Sequence, residues 1–278
     1  WSYTSDYLER SFEDQLAAST EPPADLHGAY LSLVHTLGTR TAELHKALAL
    51  RTGDPAFDPE PLEAGDPGVW KQRVHDDALA TCELLEQHLA QLPAPAQANA
   101  RALFDQKQRL LDRIEACAMP AGACLKTRYH GDYHLGQVLV SSNDFIVIDF
   151  EGEPARSLAE RRMKHSSLRD VAGMLRSFDY ARWNAVLRDT YTDADRARLA
   201  PRAQAWAGEA SETFLRAYEE TARDSGLYAS FADVQGLIAL FELEKALYEL
   251  RYEVGNRPAW INVPLQGVLA LCGMAPAA

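Results

Sequence analysis

The chain has 278 residues, of which 47% are hydrophobic and 24% are charged, a composition typical of one large or two small globular domains. Its net charge of −12 repels phosphate backbones, so nucleic acid is excluded as an expected partner. No apolar run approaches the roughly 18 residues that span a bilayer, and the N-terminus lacks the basic flank and apolar run of a signal peptide. We therefore expect a cytoplasmic protein without a membrane partner.

The cysteines are widely spaced, and none of them forms a CxxC pair. This spacing is typical neither of a disulfide scaffold nor of a zinc site. We therefore expect four reduced thiols, at Cys82, Cys117, Cys124 and Cys272.

The N-terminal part of the chain is predicted to be helical. Apolar residues recur at helical spacing in three segments, Ala24–Leu50, Val69–Leu92 and Ala96–Ala118. Asp25 is expected to cap the first helix. The Pro-, Gly- and Asp-rich stretch 52–68 is expected to be a loop, and no strand is expected before residue 121.

A small β-hairpin is predicted in the middle of the chain. Two β-type runs, 138–140 and 145–150, flank four polar turn residues, and 125–129 is a further extended segment. Helical spacing then returns over 168–189, 199–223, 231–254 and 265–271. Pro201 fits the first turn of the second of these helices, where its missing N–H costs nothing. The fold class is mainly α with a small hairpin, because strands do not alternate with helices as in a Rossmann or barrel fold.

The most informative stretch is HGDYHLGQ, which is followed by IDFE after the hairpin. Phosphoryl transfer needs a carboxylate that accepts a hydroxyl proton and oxygen ligands for the magnesium that neutralises the phosphates. Asp132 can be the proton acceptor. Gln137 and Asp149 can be the ligands, because the hairpin brings their loops together. Two acidic turn residues that cap unrelated strand ends are the alternative, which the combined pattern disfavours.

HGDYHLGQVL, IDFEGEPARSLAERR and LRDVAGMLRSF together resemble the bacterial maltokinases. That group includes the kinase part of trehalose synthase–maltokinase fusions, and it lies within the aminoglycoside-phosphotransferase-like kinases. The resemblance runs through nearly the whole chain. Gln137 stands where most of the wider superfamily has Asn, and Phe150-Glu151 stands where protein kinases have Phe-Gly. Maltokinases and the related glucosamine kinases share both departures.

The resemblance implies a protein-kinase-like C-terminal lobe that phosphorylates maltose with ATP and Mg²⁺, giving maltose 1-phosphate for trehalose and α-glucan metabolism. It implies that Asp132 is the catalytic base and that Gln137 and Asp149 hold magnesium. The three implied parts are a helical part (1–124), the catalytic loop with the metal-binding hairpin (125–155) and a helical sugar-binding part (156–278).

Four further residues near the motif are candidates for supporting roles. Glu151 and His134 are candidates for assistance to the phosphates or the metal, with a solvated turn residue as the alternative for Glu151. His130 and Asp170 are expected to brace the catalytic loop, with a charge favoured at a helix N-terminus as the alternative for Asp170. His130 and His134 lack an evident third ligand for zinc, so hydrogen bonds within the loop are expected for them. The basic run that follows is either a solvated face, a phosphate-neutralising group or a loop brace: Arg156, Arg161, Arg162 and Lys164.

The strand-rich N-terminal lobe of a kinase is not visible in the sequence. No GxGxxG or Walker pattern occurs, and helices fill most of the chain before His130. We therefore expect this chain to be a C-terminal lobe without its N-terminal lobe. We expect it to be part of a larger polypeptide, with a fused or associated trehalose synthase as partner.

The predicted helix over 231–254 carries the candidate sugar-binding surface. A stripe of polar and aromatic residues lies about 100° round the helix from an apolar core stripe. Rings stack on sugar faces and charged groups bind hydroxyls, although such a stripe can equally be the wet edge of a core. The candidates are Glu244, Lys245, Tyr248, Arg251, Tyr252, Asn256 and Arg257.

Two alternatives to a maltose kinase stay open. The catalytic motif does not separate one sugar from another, so the substrate can instead be glucosamine or glucose. The chain can also be a non-catalytic scaffold lobe of a trehalose synthase fusion. The intact Asp132, Gln137 and Asp149 argue against that second alternative, because an inactive lobe is free to lose these residues.

Overall fold

The computed structural model describes residues 1–18, 25–154 and 156–274. Within these ranges the protein is mainly helical, with two small two-stranded sheets. The helices are α1 (Ser2–Ala17), α2 (Gly28–Leu48), α3 (Asp66–His88), α4 (Ala94–Asp105), α5 (Lys107–Glu115), α6 (Leu158–Arg161), α7 (Leu168–Val186), α8 (Asp193–Ala222), α9 (Gln235–Asn256) and α10 (Asn262–Leu271). The strands are β1 (Glu60–Pro61), β2 (Leu125–Lys126), β3 (Val138–Ser141) and β4 (Asp144–Val147).

The chain divides into two compact units, each formed by two separate stretches of sequence. Unit 1 consists of Trp1–Glu60 and Cys124–Leu227, and it contains the hairpin together with α1, α2, α7 and α8. Unit 2 consists of Pro61–Ala123 and the residues from Tyr228 onward, and it contains α3, α4, α5, α9 and α10.

The core of unit 1 is built around α2, α7 and α8. Helix α2 lies so close to α8 that a Cβ added to Gly38 would stand 2.5 Å from the Phe214 carbonyl oxygen and 2.9 Å from Cβ of Ala217. Such close approach is available only to a residue without a side chain. Trp206 and Phe178 fill the adjoining space and are fully buried. This packing fixes the helices on which the catalytic loop rests.

The predicted hairpin is present as β3 and β4. Val138 pairs with Val147 and Ser141 with Asp144, and the two turn residues Ser142 and Asn143 have φ of 52° and 60°. Positive φ at both turn positions gives the turn the twist that two antiparallel strands need. The pairing therefore fixes the residue before β3 relative to the residues after β4.

Unit 2 is organised around α9. Its predicted core stripe is buried, with every member less than 9% exposed: Leu240, Leu243, Leu247, Leu250 and Val254. Helices α3 and α10 pack on α9, and Gly236 at its start allows the backbone of Ala118 to approach. The amphipathic pattern thus places one face of α9 in the core and leaves the opposite face partly exposed.

Several helix boundaries differ from the prediction. Helix α1 was not predicted. Helix α8 begins six residues earlier than expected, because Thr192 and Asp195 form a reciprocal capping box, so Pro201 lies inside the helix and its assignment to the first turn is wrong. The expected helix over 96–118 is broken at Gln106 between α4 and α5.

The predicted start of the first long helix is also wrong where it can be assessed. Helix α2 begins at Gly28 without a side-chain cap, and Asp25 contributes its backbone carbonyl, which accepts from the Gly28 N–H. Ala24, the predicted first residue, lies outside the described residues. The two-residue strand β1 contradicts the expectation of no strand before residue 121.

The state of the cysteines and the apolar length of the helices were also considered in the sequence. All four cysteines are buried and free. Burial raises the pKa of all four thiols, that of Cys124 and of Cys272 to about 11. Among the described helices, none is both long and apolar enough to cross a membrane.

Candidate active site

The loop over residues 130–137, which the sequence predicts to be catalytic and which is called the catalytic loop below, lies along one face of α7. Its backbone atoms make the contacts with the helix. Three α7 residues at helical spacing take part. The Asp170 carboxylate accepts from the N–H groups of His130 and Gly131 at 2.7 and 2.9 Å. Gly173 lets the Tyr133 carbonyl approach, since an added Cβ would stand 2.6 Å from that oxygen. The Ser177 hydroxyl accepts from the Leu135 N–H at 3.0 Å.

Asp170 is itself held by a buried histidine. The Nε2 of His45 donates to the carboxylate at 3.2 Å, since a carboxylate can only accept. The other ring nitrogen, Nδ1, lies 2.9 Å from the Tyr218 hydroxyl and accepts from it when the ring is neutral. Asp170 and His45 are 2% and 0% exposed. A buried carboxylate with this many donors is rigid, because every alternative position would leave polar groups unsatisfied.

His130 joins the catalytic loop to the turn that follows β4. Its Nδ1 accepts from the Asp132 N–H at 3.3 Å, so in the neutral ring Nε2 is protonated and donates to the Ile148 carbonyl at 2.8 Å. Its ring centroid lies 5.0 Å from that of Phe150. The two segments therefore share a side chain that bonds to the backbone of both.

His134 lies beside Asp132 at the start of a 3-10 turn over Leu135–Gln137. Its Nδ1 accepts from the Gly136 N–H at 3.0 Å, and its Nε2 lies 3.8 Å from Oδ2 of Asp132. The Asp132 side chain is 17% exposed, and that of His134 is 36% exposed. Solvent and a substrate can therefore reach both groups.

Gln137 and Asp149 meet across the base of the hairpin. The Gln137 Nε2 donates to Oδ2 of Asp149 at 2.9 Å, and the Ile148 N–H donates to the Gln137 carbonyl at 3.0 Å. Asp149 has φ of 63°, which turns the chain immediately after the strand pair. The structure brings together the two residues that the sequence paired.

The donor set of this pair fits magnesium. Mg²⁺ prefers oxygen ligands and is usually bound through one or two protein groups together with phosphates and water. Asp149 supplies a carboxylate and Gln137 an amide oxygen, and both side chains reach solvent. Within residues 1–18, 25–154 and 156–274, no three His, Cys, Asp or Glu residues lie together so that they could hold a metal.

The segment after Asp149 is braced by the basic run. Arg161 donates through a terminal nitrogen to the Glu151 carbonyl at 3.1 Å, and its aliphatic stem packs against Gly152. Arg156 pairs with the buried Glu153 at 2.7 Å, and Lys164 pairs with Glu60 at 2.6 Å. The contacts of Arg161 and Arg156 are those that the loop-bracing interpretation expects, whereas Lys164 contacts a different segment of the chain. The Glu151 side chain is exposed.

The candidate sugar residues, all in unit 2, divide into an engaged group and an exposed group. Glu244 is 5% exposed and faces Arg73 at 4.0 Å. Arg251 donates to the Thr81 hydroxyl at 2.9 Å and pairs with Asp77. These two residues therefore contribute to the packing of α3 against α9.

The exposed group, in which Lys245 and Tyr248 are only partly exposed, forms a row of rings and cations. Lys245 lies over the Tyr248 ring at 4.7 Å, and Tyr248 stacks with Tyr252 at 6.3 Å. Arg257 lies 5.6 Å from the Tyr252 ring centroid and bonds to Glu253 through two nitrogens. Asn256 is exposed and donates to the Tyr252 carbonyl. A row of this kind offers flat apolar faces beside charges.

Sequence reasoning missed three residues that hold the loop. Gly173 lies three residues after Asp170, and Ser177 lies four residues after Gly173. This helical spacing was available in the sequence. His45 gave no local signal, because its partners lie 125 and 173 positions away along the chain.

A carboxylate on a loop held by its backbone, followed along the chain by an amide–carboxylate pair with magnesium-type donors, is an arrangement typical of phosphoryl-transfer enzymes. Relatives of known activity agree with this class. The chain is 30% identical over 228 residues to a glucosamine kinase of Streptacidiphilus jiangxiensis, covering 82% of this chain and 46% of the relative. It is 29% identical over 244 residues to the glucosamine kinase of Mycolicibacterium smegmatis, covering 87% and 54%. No protein-family model matches.

The solved structures with a similar fold are also of glucosamine kinases. The fold superposes on a glucosamine kinase in complex with glucosamine, ADP and inorganic phosphate with a TM-score of 0.72 and 25% identity, over 98% of this chain and 56% of that one. Crystal form B of a glucosamine kinase gives a TM-score of 0.72 and 26% identity. The chain thus spans about half the length of the relatives it matches.

These relatives correct the resemblance drawn from the motifs. The assignment to maltokinases and to aminoglycoside-phosphotransferase-like kinases is wrong, because the similar proteins are glucosamine kinases. The expected maltose substrate and trehalose synthase partner find no support among them. The reason is chemical: the roles that the motif predicts, proton transfer and metal binding, are needed for phosphoryl transfer to any sugar hydroxyl, so the motif carries no information about the rest of the sugar.

Proposed function

We propose that this chain carries the catalytic loop of an ATP-dependent sugar kinase that phosphorylates glucosamine. The observation that carries the proposal is the loop itself, in which Asp132 is presented on a backbone fixed by Asp170 and which ends at Gln137, the residue that bonds to Asp149 across the base of the hairpin. The similarity to glucosamine kinases supports the substrate. Because the chain spans about half of those relatives, we propose that further sequence of the native gene product completes the nucleotide site.

In this reaction a sugar hydroxyl oxygen forms a bond to the γ-phosphorus of ATP. The bond between that phosphorus and the oxygen bridging to the β-phosphate breaks, and ADP leaves with the electron pair. Asp132 accepts the hydroxyl proton, which restores neutrality at the new ester oxygen. The buried Asp170 keeps the Asp132 backbone in place during the transfer, because its carboxylate holds two consecutive N–H groups of the loop.

Gln137 and Asp149 would hold magnesium. The bound ion supplies positive charge that offsets the charge of the transferring phosphoryl group. The protein's own part is to fix the two ligands relative to each other. It does so through the register of β3 and β4 and through the hydrogen bond between the two side chains.

The exposed row on α9 is our candidate carbohydrate surface in unit 2. Tyr248 and Tyr252 present rings, and Lys245 and Arg257 present cations beside them. Sugar rings stack on such faces, and their hydroxyls accept from such cations. Glu244 and Arg251 are weaker candidates, because residues of α3 engage them and their side chains are less exposed than that of Arg257, which itself pairs with Glu253.

The test is a substrate panel with the purified native gene product, ATP and Mg²⁺. ADP release is followed with glucosamine, glucose and N-acetylglucosamine. We expect kcat/KM for glucosamine to exceed that for the other two by about tenfold or more, since a site built for a polar group rejects analogues that lack it. Equal rates with glucose would contradict glucosamine specificity. Failure with every sugar, together with no nucleotide binding by calorimetry, would favour a non-catalytic scaffold.

A further inference from the structure

The hydrogen bond between Gly136 and His134 determines which nitrogen of the His134 ring carries a proton. A backbone N–H can only donate, so Nδ1 of His134, at 3.0 Å, must present its lone pair. In the neutral ring the proton then lies on Nε2. That nitrogen is the one that faces Oδ2 of Asp132, at 3.8 Å.

This tautomer excludes one role and favours another. A protonated Nε2 has no lone pair, so His134 cannot accept a proton from Asp132 and pass it to solvent. It can donate a hydrogen bond to the carboxylate, and such a bond favours the ionised form and orients its oxygens. The distance of 3.8 Å is longer than a hydrogen bond, as is common for catalytic contacts that tighten when substrate binds.

We infer that His134 is a positioning residue, whose Nε2–H directs the carboxylate of Asp132 toward the reacting hydroxyl. The inference rests on the proposed kinase function and adds to it a role for a residue first considered for phosphate or metal assistance. Gly136 contributes to the orientation of the His134 ring through its N–H and its lack of a side chain. A Cβ at this position would lie 2.7 Å from Cε1 and 2.9 Å from Nδ1 of His134, so only glycine leaves the ring where it is.

The first experiment reads the tautomer directly. Nitrogen-15 spectra of the imidazole groups, with His134→Gln used for assignment, should show His134 at neutral pH with an unprotonated Nδ1 and a protonated Nε2. Gly136→Ala should change these shifts, because it displaces the ring. A proton on Nδ1 in the native protein would overturn the inference, and this measurement does not depend on turnover.

The second experiment measures kinetics in the native gene product. His134→Phe keeps a ring without a donor, and we expect kcat to fall about tenfold, the lower end of what a hydrogen bond to a charged group is worth. His134→Gln places an amide N–H near the position of Nε2 and should restore most of kcat. The sugar KM and the magnesium concentration for half-maximal rate should stay unchanged in both variants.

A double-mutant cycle links the two residues. Gly136→Ala should lower kcat as His134→Phe does, and it should add almost nothing in the His134→Phe background, because both changes remove the same contact. His35→Phe, at an exposed histidine of α2, is the matched control and should match the wild type. Wild-type turnover with an unaffected His134→Phe variant would overturn the inference alone. A raised magnesium requirement in His134→Phe would overturn it in favour of metal assistance, and absence of turnover in the wild type would overturn both proposals.

Discussion

Asp132 lies on a loop whose backbone is held by other residues, so its side chain can be changed without loosening the loop. Asp132→Asn keeps the size of the side chain but removes its ability to accept the hydroxyl proton. We expect kcat to fall by about 10²–10⁴-fold, the usual contribution of a general base. The midpoint of urea unfolding should stay within error of the wild type, since the side chain is partly exposed and the Asp170 contacts remain. Full activity in this variant would contradict the assignment of the base.

Asp149 should respond differently, because its proposed role is to hold a cation. Asp149→Asn removes a charge but tolerates the φ of 63° at this position, since Asn adopts the left-handed region more readily than most residues. We expect the magnesium concentration for half-maximal rate to rise, and added magnesium to restore part of the activity. The same additions should leave Asp132→Asn unchanged. Equal rescue of both variants would show that the two roles are wrongly assigned.

At the level of single residues, the sequence predicted which side chains come together but not how they are oriented. Gln137 and Asp149 meet as expected, because two strands joined by a two-residue turn allow only one register. The tautomer of His134 depends on a backbone N–H two residues away. The displacement of Glu244 and Arg251 from the exposed face of α9 depends on α3, which is remote in sequence. Such contacts leave no local pattern.

Among the elements, an ion pair between Arg40 and Asp144 joins the β3–β4 hairpin to α2, beside the apolar packing between them. Nε and a terminal nitrogen of Arg40 each donate to one oxygen of Asp144 at 2.8 Å. The bonds from Arg40, assisted by the Phe145 N–H, lower the pKa of Asp144 from 3.8 to about 2. A lowered carboxyl pKa stabilises the folded state above the unfolded pKa, and the contribution is lost as pH falls through the folded pKa.

Arg40→Gln should therefore accelerate hydrogen exchange of the β3 and β4 amides above pH 4. The difference from the wild type should shrink as the pH falls from 4 to 2, and it should also shrink at high salt, because both side chains are largely exposed. Asp144→Asn should reproduce the effect. A difference that does not depend on pH would show that the pair does not hold the hairpin.

The contact between α2 and α8 provides a second prediction at this scale. Gly38→Ala gains helix propensity but forces a methyl group against the Phe214 carbonyl, so we expect a net loss of about 1–2 kcal/mol in the free energy of unfolding. Gly208→Ala, in α8 with open space around the added methyl group, should stabilise by about 0.5–1 kcal/mol. Urea denaturation of both variants measures the difference. Stabilisation by both substitutions would mean that the helices can move apart freely.

Helices with an apolar stripe were predicted, and the one without such a stripe was missed. The buried face of α1 consists of Thr4, Leu8, Ser11, Phe12 and Gln15. Their spacing is helical, but three of the five are polar, so hydrophobic periodicity does not reveal the helix. The start of α8 was missed for a similar reason, since its capping box precedes the first apolar residue.

For the whole molecule, the reactivity of the buried thiols can be used to measure the unfolding of each unit. Cys82, Cys117 and Cys272 lie in unit 2, and Cys124 lies in unit 1. Since the thiolate is the reactive form, burial and a raised pKa should make all four unreactive toward a thiol reagent in the folded protein. We expect labelling only as urea unfolds the chain, with mass spectrometry of peptides giving one midpoint for each unit. Rapid labelling without urea would contradict the buried positions.

The class of the molecule was predictable, and its substrate was not. The spacing of the candidate phosphoryl-transfer residues predicted a sugar kinase, because charge neutralisation and proton transfer require such groups, and the similarity to glucosamine kinases supports that class. The maltose prediction finds no support among these relatives, because the same motif does not distinguish one sugar from another. Only a comparison of nearly the whole chain with relatives detected the difference.

The four contacts of α7 with the catalytic loop described above are made to backbone atoms: two N–H groups at Asp170, a carbonyl at Gly173 and a third N–H at Ser177. These contacts hold the path of the loop without using its partly exposed side chains, while His130, Tyr133 and Leu135 are buried. A loop of equal length from a sugar kinase, grafted between residues 130 and 137 with these three residues kept, should adopt the same path and bring its own reactive groups. New reactive groups can therefore be introduced on this loop while the sequence of α7 is left unchanged.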